Sequence, residues 1–150
     1  MMRARRVLGA AIVALTFAGC GQAAWREADA NLNAAAGAAR ADGFAPMAGP
    51  HNTFGDFTAA GETAWRTHLE AHQAYVLVAA CTAGCAALDF TVYEPHGAAL
   101  GTDTSAAPTP RLAFTAPEEG DYRVVFRFGR CGAARCRWVA QAYRRGGDSR

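Results

Sequence analysis

"YRVVFRF", residues 122–128, alternates with a period of two. Tyr122, Val124, Phe126 and Phe128 fall on one side, and Arg123, Val125 and Arg127 on the other. Successive side chains of an extended chain point to opposite faces, so the stretch predicts a strand with an apolar face on a core and arginines outside.

The same signal runs outward in both directions. "PEEGD", 117–121, is a turn, and "PRLAFTA", 110–116, alternates before it. "ALDFTVYE", 87–94, sends Leu88, Phe90 and Val92 inward and Asp89, Thr91 and Tyr93 outward. "EPHG" turns the chain, and "AALGT", 98–102, is a weak strand. "AYVLVAA", 74–80, is almost wholly apolar, as a strand buried on both faces would be. "TAWRTHL", 63–69, places Trp65, Thr67 and Leu69 on one face. Downstream, "RWVAQAY", 137–143, is expected to complete a hairpin with 122–128. Short strands at close spacing with turn signals predict a mainly β protein, an antiparallel β-sandwich.

Before the strands, Trp25, Ala28, Leu32, Ala36 and Ala39 recur at steps of three and four. That spacing predicts a helix over 23–42 with Gly43 as its stop, either a stalk or a helix packed on the sheet. Residues 43–61, rich in Gly, Pro and Ala, read as a loop with anchoring aromatics and room for one short strand.

The chain opens with Arg3, Arg5 and Arg6, an apolar run from Val7 to Ala18, and "FAGC" at 17–20. A basic head, a short apolar middle and small residues at the exit describe an export signal. The run is too short to span a bilayer, which takes about 20 apolar residues. "LTFAGC" resembles the lipobox of bacterial lipoproteins, with Phe17 where Leu is usual. The resemblance implies cleavage before Cys20, acylation of its sulfur (palmitate among the chains) and attachment to a membrane. Gly21 follows in place of the Asp that often retains such proteins at the inner membrane, so the expected address is the outer membrane, facing the periplasm. An ordinary secretory signal, cut near Ala23 or Ala24 to give a secreted or periplasmic protein, is the alternative. The expected organisation is a signal peptide over 1–19, the attachment cysteine, helix and linker over 20–60, the sandwich over 61–145 and a tail over 146–150.

The net charge of +2 comes from 15 arginines and no lysine against 13 carboxylates. Three of the arginines lie in the leader, so the exported part is close to neutral and slightly acidic. The charge therefore gives no general argument for a nucleic-acid partner.

Four further cysteines form two close pairs, Cys81 with Cys85 and Cys131 with Cys136. An oxidising compartment favours disulfides, and local pairing is the economical choice among three connectivities. Zinc and redox roles are the rivals, although both usually prefer C-x-x-C.

"YVLVAACTAGCAALDFTVYEPHGAAL" and "PRLAFTAPEEGDYRVVFRFGRCGAARCRW" together resemble bacterial pre-peptidase C-terminal (PPC-like) domains, over about residues 55–143. The pattern is strand, cysteine pair, acidic strand and turn, then P-x-x-x-F-x-A-P-x-x-G-x-Y-x-V and a second cysteine pair. The resemblance implies a jelly-roll-like sandwich, used as an accessory module beside secreted proteases or as a stand-alone exported protein. Some relatives bind calcium or matrix polymers. Here Asp89 remains, but the next outward positions are Thr91 and Tyr93, with Glu94 at the turn, so few oxygen ligands are offered.

Candidate chemistry is sparse. Arg123, Arg127 and Arg137, with Arg130 and Arg135 nearby, form a candidate anion-binding set, because guanidinium groups hold phosphates and carboxylates bidentately. An envelope protein or an acidic glycan is the partner this implies. Asp89, Glu94 and Asp103 are candidate oxygen ligands. "HLEAH", 68–72, raises a metal-binding or metal-dependent alternative through His68 and His72 with nearby carboxylates, since histidines four apart share a helix face. On a strand they would lie about 13 Å apart. The only serines are Ser105 and Ser149, and neither sits in G-x-S-x-G. No cofactor motif is present. The expectation is a non-catalytic binding or accessory module.

Overall fold

A computed structural model of the chain describes residues 20–105 and 107–146, with the backbone alone at 20 and 21. The export signal and tail residues 147–150 lie outside the described residues.

Helix α1 (Cys20–Ala35) and the short α2 (Gly37–Ala41) precede nine strands. These are β1 (Phe44–Pro46), β2 (Asn52–Phe57), β3 (Gly61–Leu69), β4 (Ala74–Cys81), β5 (Leu88–Tyr93), β6 (Ala99–Asp103), β7 (Arg111–Thr115), β8 (Gly120–Phe128) and β9 (Cys136–Arg145). All pairs are antiparallel. One sheet runs β2-β9-β4-β7, with β1 pairing the far end of β9, and the other runs β3-β8-β5-β6. The orders β2-β9-β4-β7 and β3-β8-β5-β6 form the jelly roll, a double Greek key, and β1 adds a fifth strand to the first sheet.

The inward faces behave as the period-two pattern requires. Leu88, Phe90 and Val92 from β5 and Tyr122, Val124, Phe126 and Phe128 from β8 are buried against Leu77, Ala79, Trp138 and Ala140 of the facing sheet. Rings fill the middle: Trp138 lies 4.7 Å from Phe126 and 5.3 Å from Phe128 between centroids. The hydroxyls of the buried Tyr75 and Tyr122 are satisfied near the chain turns, Tyr122 donating to the Glu118 carbonyl at 2.8 Å and Tyr75 accepting from the Glu70 N–H at 2.9 Å.

The outer face of the β2-β9-β4-β7 sheet is covered as well. Ala28, Leu32, Ala36 and Ala39 pack on Val76, Val78, Ala80, Val139 and Tyr143 as a second core. This explains the unbroken apolar run of β4, whose inward residues meet one core and whose outward residues meet the helix. The helix is thus a third layer and not a stalk. It ends earlier than its periodicity implies, at Ala35, before the separate turn of α2.

Two expectations change. The 43–61 stretch contains two strands, β1 and β2, laid end to end along β9. Gln141 caps the break between them, its Nε2 donating to the carbonyls of Met47 at 3.0 Å and His51 at 3.2 Å. And β8 with β9 is not a hairpin: the loop 129–135 carries the chain from one sheet to the other.

Both local disulfides are formed, Cys81–Cys85 and Cys131–Cys136. Their loops lie side by side. The backbones of Cys85 and Cys131 pair antiparallel, Gly132 N–H donates to Gly84 O at 2.7 Å, and Ala86 N–H donates to Arg130 O at 3.0 Å. The helix clamps the same rim, with Ala83 N–H donating to Glu27 Oε1 at 2.6 Å and Asn31 Nδ2 donating to Cys81 O at 2.9 Å.

Candidate functional site

The open face of the molecule is the outside of the β3-β8-β5-β6 sheet, since the helix covers the other sheet. Register places its outward side chains in rows. Glu62, Arg127 and Asp89 form one row across β3, β8 and β5, and Arg66, Arg123 and Tyr93 form another. Between them, Ala64, Val125 and Thr91 make a small neutral row, where Thr102 Oγ1 hydrogen-bonds Thr91 Oγ1 at 3.0 Å.

The two arginine rows differ in charge. Arg127 is flanked by carboxylates: its Nε lies 3.7 Å from Glu62 Oε2, and its Nη1 donates to Thr91 Oγ1 at 3.3 Å. Asp89 stands opposite it on β5, with a buried Oδ1 that has no hydrogen-bond partner among the described residues. In the other row two arginines stand opposite each other across the ladder, and the third member is a tyrosine. Arg123 lies over the Tyr93 ring, 4.6 Å from its centroid. Among the described residues the arginine ion pairs involve Arg111, Arg127, Arg135, Arg137 and Arg144, and none involves Arg66 or Arg123. Like charges directly opposite across a ladder oppose folding. An anion with two or more oxygens would relieve that repulsion by bridging both forks, in bidentate geometry.

The sequence-derived arginine set therefore divides. Arg123 belongs to the unneutralised pair, Arg127 is held among carboxylates, and Arg137 lies on the opposite sheet. There Arg137 sits over the Trp25 ring at 4.5 Å and its Nε lies 3.3 Å from Asp56 Oδ1. Arg130 is exposed in the 129–135 connection, and Arg135 pairs with Asp56 at 3.4 Å. Arg66 was missed because it gains its meaning only from the β3–β8 register. The one local signal was its outward position in "TAWRTHL".

The histidine and carboxylate candidates disperse. His68 ends β3, and its Nδ1 lies 3.0 Å from Asp121 Oδ1 and its Nε2 3.5 Å from Glu119 Oε1. Its hydrogen bond to the Asp121 carboxylate is the chief cause that raises its pKa. His72 sits in the following turn with φ of 60°. Asp103 accepts from Ser105 N–H at 2.8 Å and Arg111 N–H at 2.6 Å, which commits both oxygens to the β6–β7 connection. Among the described residues no three His, Cys, Asp or Glu side chains are grouped to hold a metal ion.

A polar cleft of about 370 Å³ lies at the far end of β9, between Met47, His51, Glu70 and Arg144. Arg144 Nη1 donates to Glu70 Oε2 at 3.0 Å, and Arg145, which also lines the cleft, lies over the Phe44 ring at 4.8 Å. His51 Nδ1 hydrogen-bonds the buried Thr67 hydroxyl at 2.7 Å, and burial, with the positive charges of His68 and Arg144, lowers its pKa. Among the described residues no helix is long and apolar enough to cross a membrane.

No family model matches the sequence, and no curated protein matches it. Among solved structures it is similar to PliG of Aeromonas hydrophila, a periplasmic lysozyme inhibitor of g-type lysozyme. The TM-score is 0.44 at 17% sequence identity, over 65% of this chain and 92% of that one.

Proposed function

We propose that this chain is a lipid-anchored accessory module of the bacterial envelope, which binds an anionic partner and catalyses no reaction. The observation that carries the binding reading is the Arg66–Arg123 pair, two exposed arginines opposite each other across a ladder, neither in an ion pair with a carboxylate among the described residues. The partner class is a polycarboxylate or phosphorylated surface, an acidic glycan or an acidic protein face. The anchor is Cys20, exposed by removal of residues 1–19, and the destination is the periplasmic face of the outer membrane. Export is supported by the two disulfides, which require an oxidising compartment to persist. The jelly-roll strand order, in which β1 and β2 join the sandwich ahead of residue 61, is the one that the PPC-like resemblance implies, with 146–150 as a tail.

The test is retention of the purified protein on polygalacturonate, with neutral dextran as control. The chain binds the polyanion and not dextran, and Arg66→Gln/Arg123→Gln weakens binding about tenfold, a change of about 1.4 kcal/mol. Arg144→Gln, at an arginine already paired with Glu70, leaves it unchanged. Equal retention of the double variant would remove this face from the function.

A further inference from the structure

Phe54 is 66% exposed, and among the described residues it is the one large apolar side chain left in that state. It points outward from the edge strand β2, toward the helix side, and meets the Trp25 ring edge-on at 5.1 Å. The Arg137 guanidinium lies over the Trp25 ring, 4.5 Å from its centroid. Asp29, Asn52 and Val139 complete a groove of about 380 Å³ between α1 and β2. An exposed aromatic held in place by a second ring and a guanidinium is an apolar feature kept at the surface, and such features mark interaction sites.

We infer that the Trp25–Phe54 pair inserts into the headgroup layer of the bilayer and fixes the orientation of the sandwich on it. The inference rests on acylation of Cys20. Cys20 is the first described residue and lies within helix α1, so the chain from the attachment residue to the folded unit is helical. Trp25 follows five positions later, about 7.5 Å along the helix axis at 1.5 Å per residue. A chain whose sulfur carries acyl groups therefore holds Trp25 at interfacial depth, where aromatic rings with a polar edge are favoured and amphipathic surfaces bury about 5–10 Å deep. Clamping of Glu27 and Asn31 to the Cys81–Cys85 loop keeps this part of the helix fixed to the sandwich. The consequence is an oriented molecule. The aromatic pair lies on the helix-covered sheet, so the Arg66–Arg123 face, on the opposite sheet, is presented away from the membrane.

The test uses the full acylated protein in phosphatidylethanolamine/phosphatidylglycerol vesicles whose acyl chains carry bromine, which quenches nearby indole emission. The mass of the mature protein first reports the acyl chains. Of the other two tryptophans, Trp138 is buried in the core and Trp65, on β3, is packed against it, so quenching that disappears in Trp25→Phe belongs to Trp25. Quenching that falls at least about twofold in Phe54→Ser, and again when a ten-residue Gly/Ser segment is inserted after Gly21, supports the insertion. The inserted segment interrupts only the first turn of α1, ahead of the Glu27 and Asn31 clamps, and removes the enforced proximity. Acylated protein with unquenched Trp25 overturns the insertion while the anchor stands. An unacylated mature chain overturns both. Unquenched Trp25 whose emission shifts with a soluble envelope polysaccharide assigns the groove to a glycan and likewise overturns it.

Discussion

Arg66 on β3 and Arg123 on β8 stand directly across the ladder from each other, and the next residue in their row is Tyr93. Opposed like charges cost stability, about 0.2–1 kcal/mol, and water and salt screen exposed pairs toward the lower value. Replacing Arg66 with Gln should therefore raise folding stability by about 0.2–0.5 kcal/mol in dilute buffer. The gain shrinks in high salt or when a polyanion is added to the parent protein. Arg123→Gln gains less, because it also gives up its position over Tyr93. Urea unfolding at two salt concentrations measures this, and stability that falls in Arg66→Gln would show that the pair is not repulsive.

The two disulfide loops should behave as one unit. Each closes a short loop, worth about 2 kcal/mol by chain entropy. They are also joined by the antiparallel backbone pairing of Cys85 with Cys131 and by Gly132 N–H donating to Gly84 O. Opening either loop loosens the support of the other. Serine variants of the two pairs should each lose about 2 kcal/mol, and their combination should lose less than the sum, by about 0.5 kcal/mol or more. Chemical denaturation of the single-pair and double-pair variants gives the coupling. Strict additivity would mean that the shared hydrogen bonds carry nothing.

The parts of this fold that the sequence discloses are those set by one local period. β5, β7 and β8 alternate about their own axes, and Ala28, Leu32, Ala36 and Ala39 mark the buried stripe of α1. β2 was hidden because its pattern runs opposite to expectation: Phe54 points out, and the inward position beside it is Gly55. β8 and β9 look like a hairpin because they are adjacent in the chain, and periodicity says nothing about which sheet a strand joins. The same limit applies to the site. Arg123 was visible as an outward residue, but Arg66 lies 57 positions earlier, and only register brings it opposite.

His51 and His68 should titrate on opposite sides of the ordinary histidine value of 6.5. Hydrogen bonding to Asp121 raises His68, so its protonated form favours the folded state. That contribution is complete below 6.5 and disappears as pH rises through the higher folded value. His51 is lowered, first by burial, so it resists protonation in the folded chain. Its effect is absent above 6.5 and becomes a destabilisation as pH falls through the lower folded value. Imidazole NMR titrations give the order directly. Asp121→Asn should lower the His68 midpoint, and His68→Gln should raise that of His51 by removing a neighbouring positive charge. A shared midpoint for both rings would contradict these environments.

Gly55 on β2 pairs with Trp138 on β9. A methyl group there would lie 2.8 Å from Trp138 Nε1, closer than packed atoms allow. The indole has little room to retreat, because Phe126 and Phe128 hold its other side. Gly55→Ala should therefore cost about 1–3 kcal/mol, the usual range for overpacking a filled core. Trp138→Phe alone should also destabilise the chain, since the smaller ring leaves a void. In combination, the alanine methyl occupies space that the indole nitrogen side has vacated. The double variant should then be more stable than the two single losses predict, by about 1 kcal/mol. Thermal or urea unfolding of the four chains closes the cycle. Additive losses would mean that Gly55 is needed for its backbone freedom in an edge strand, and not for the space it leaves to the indole.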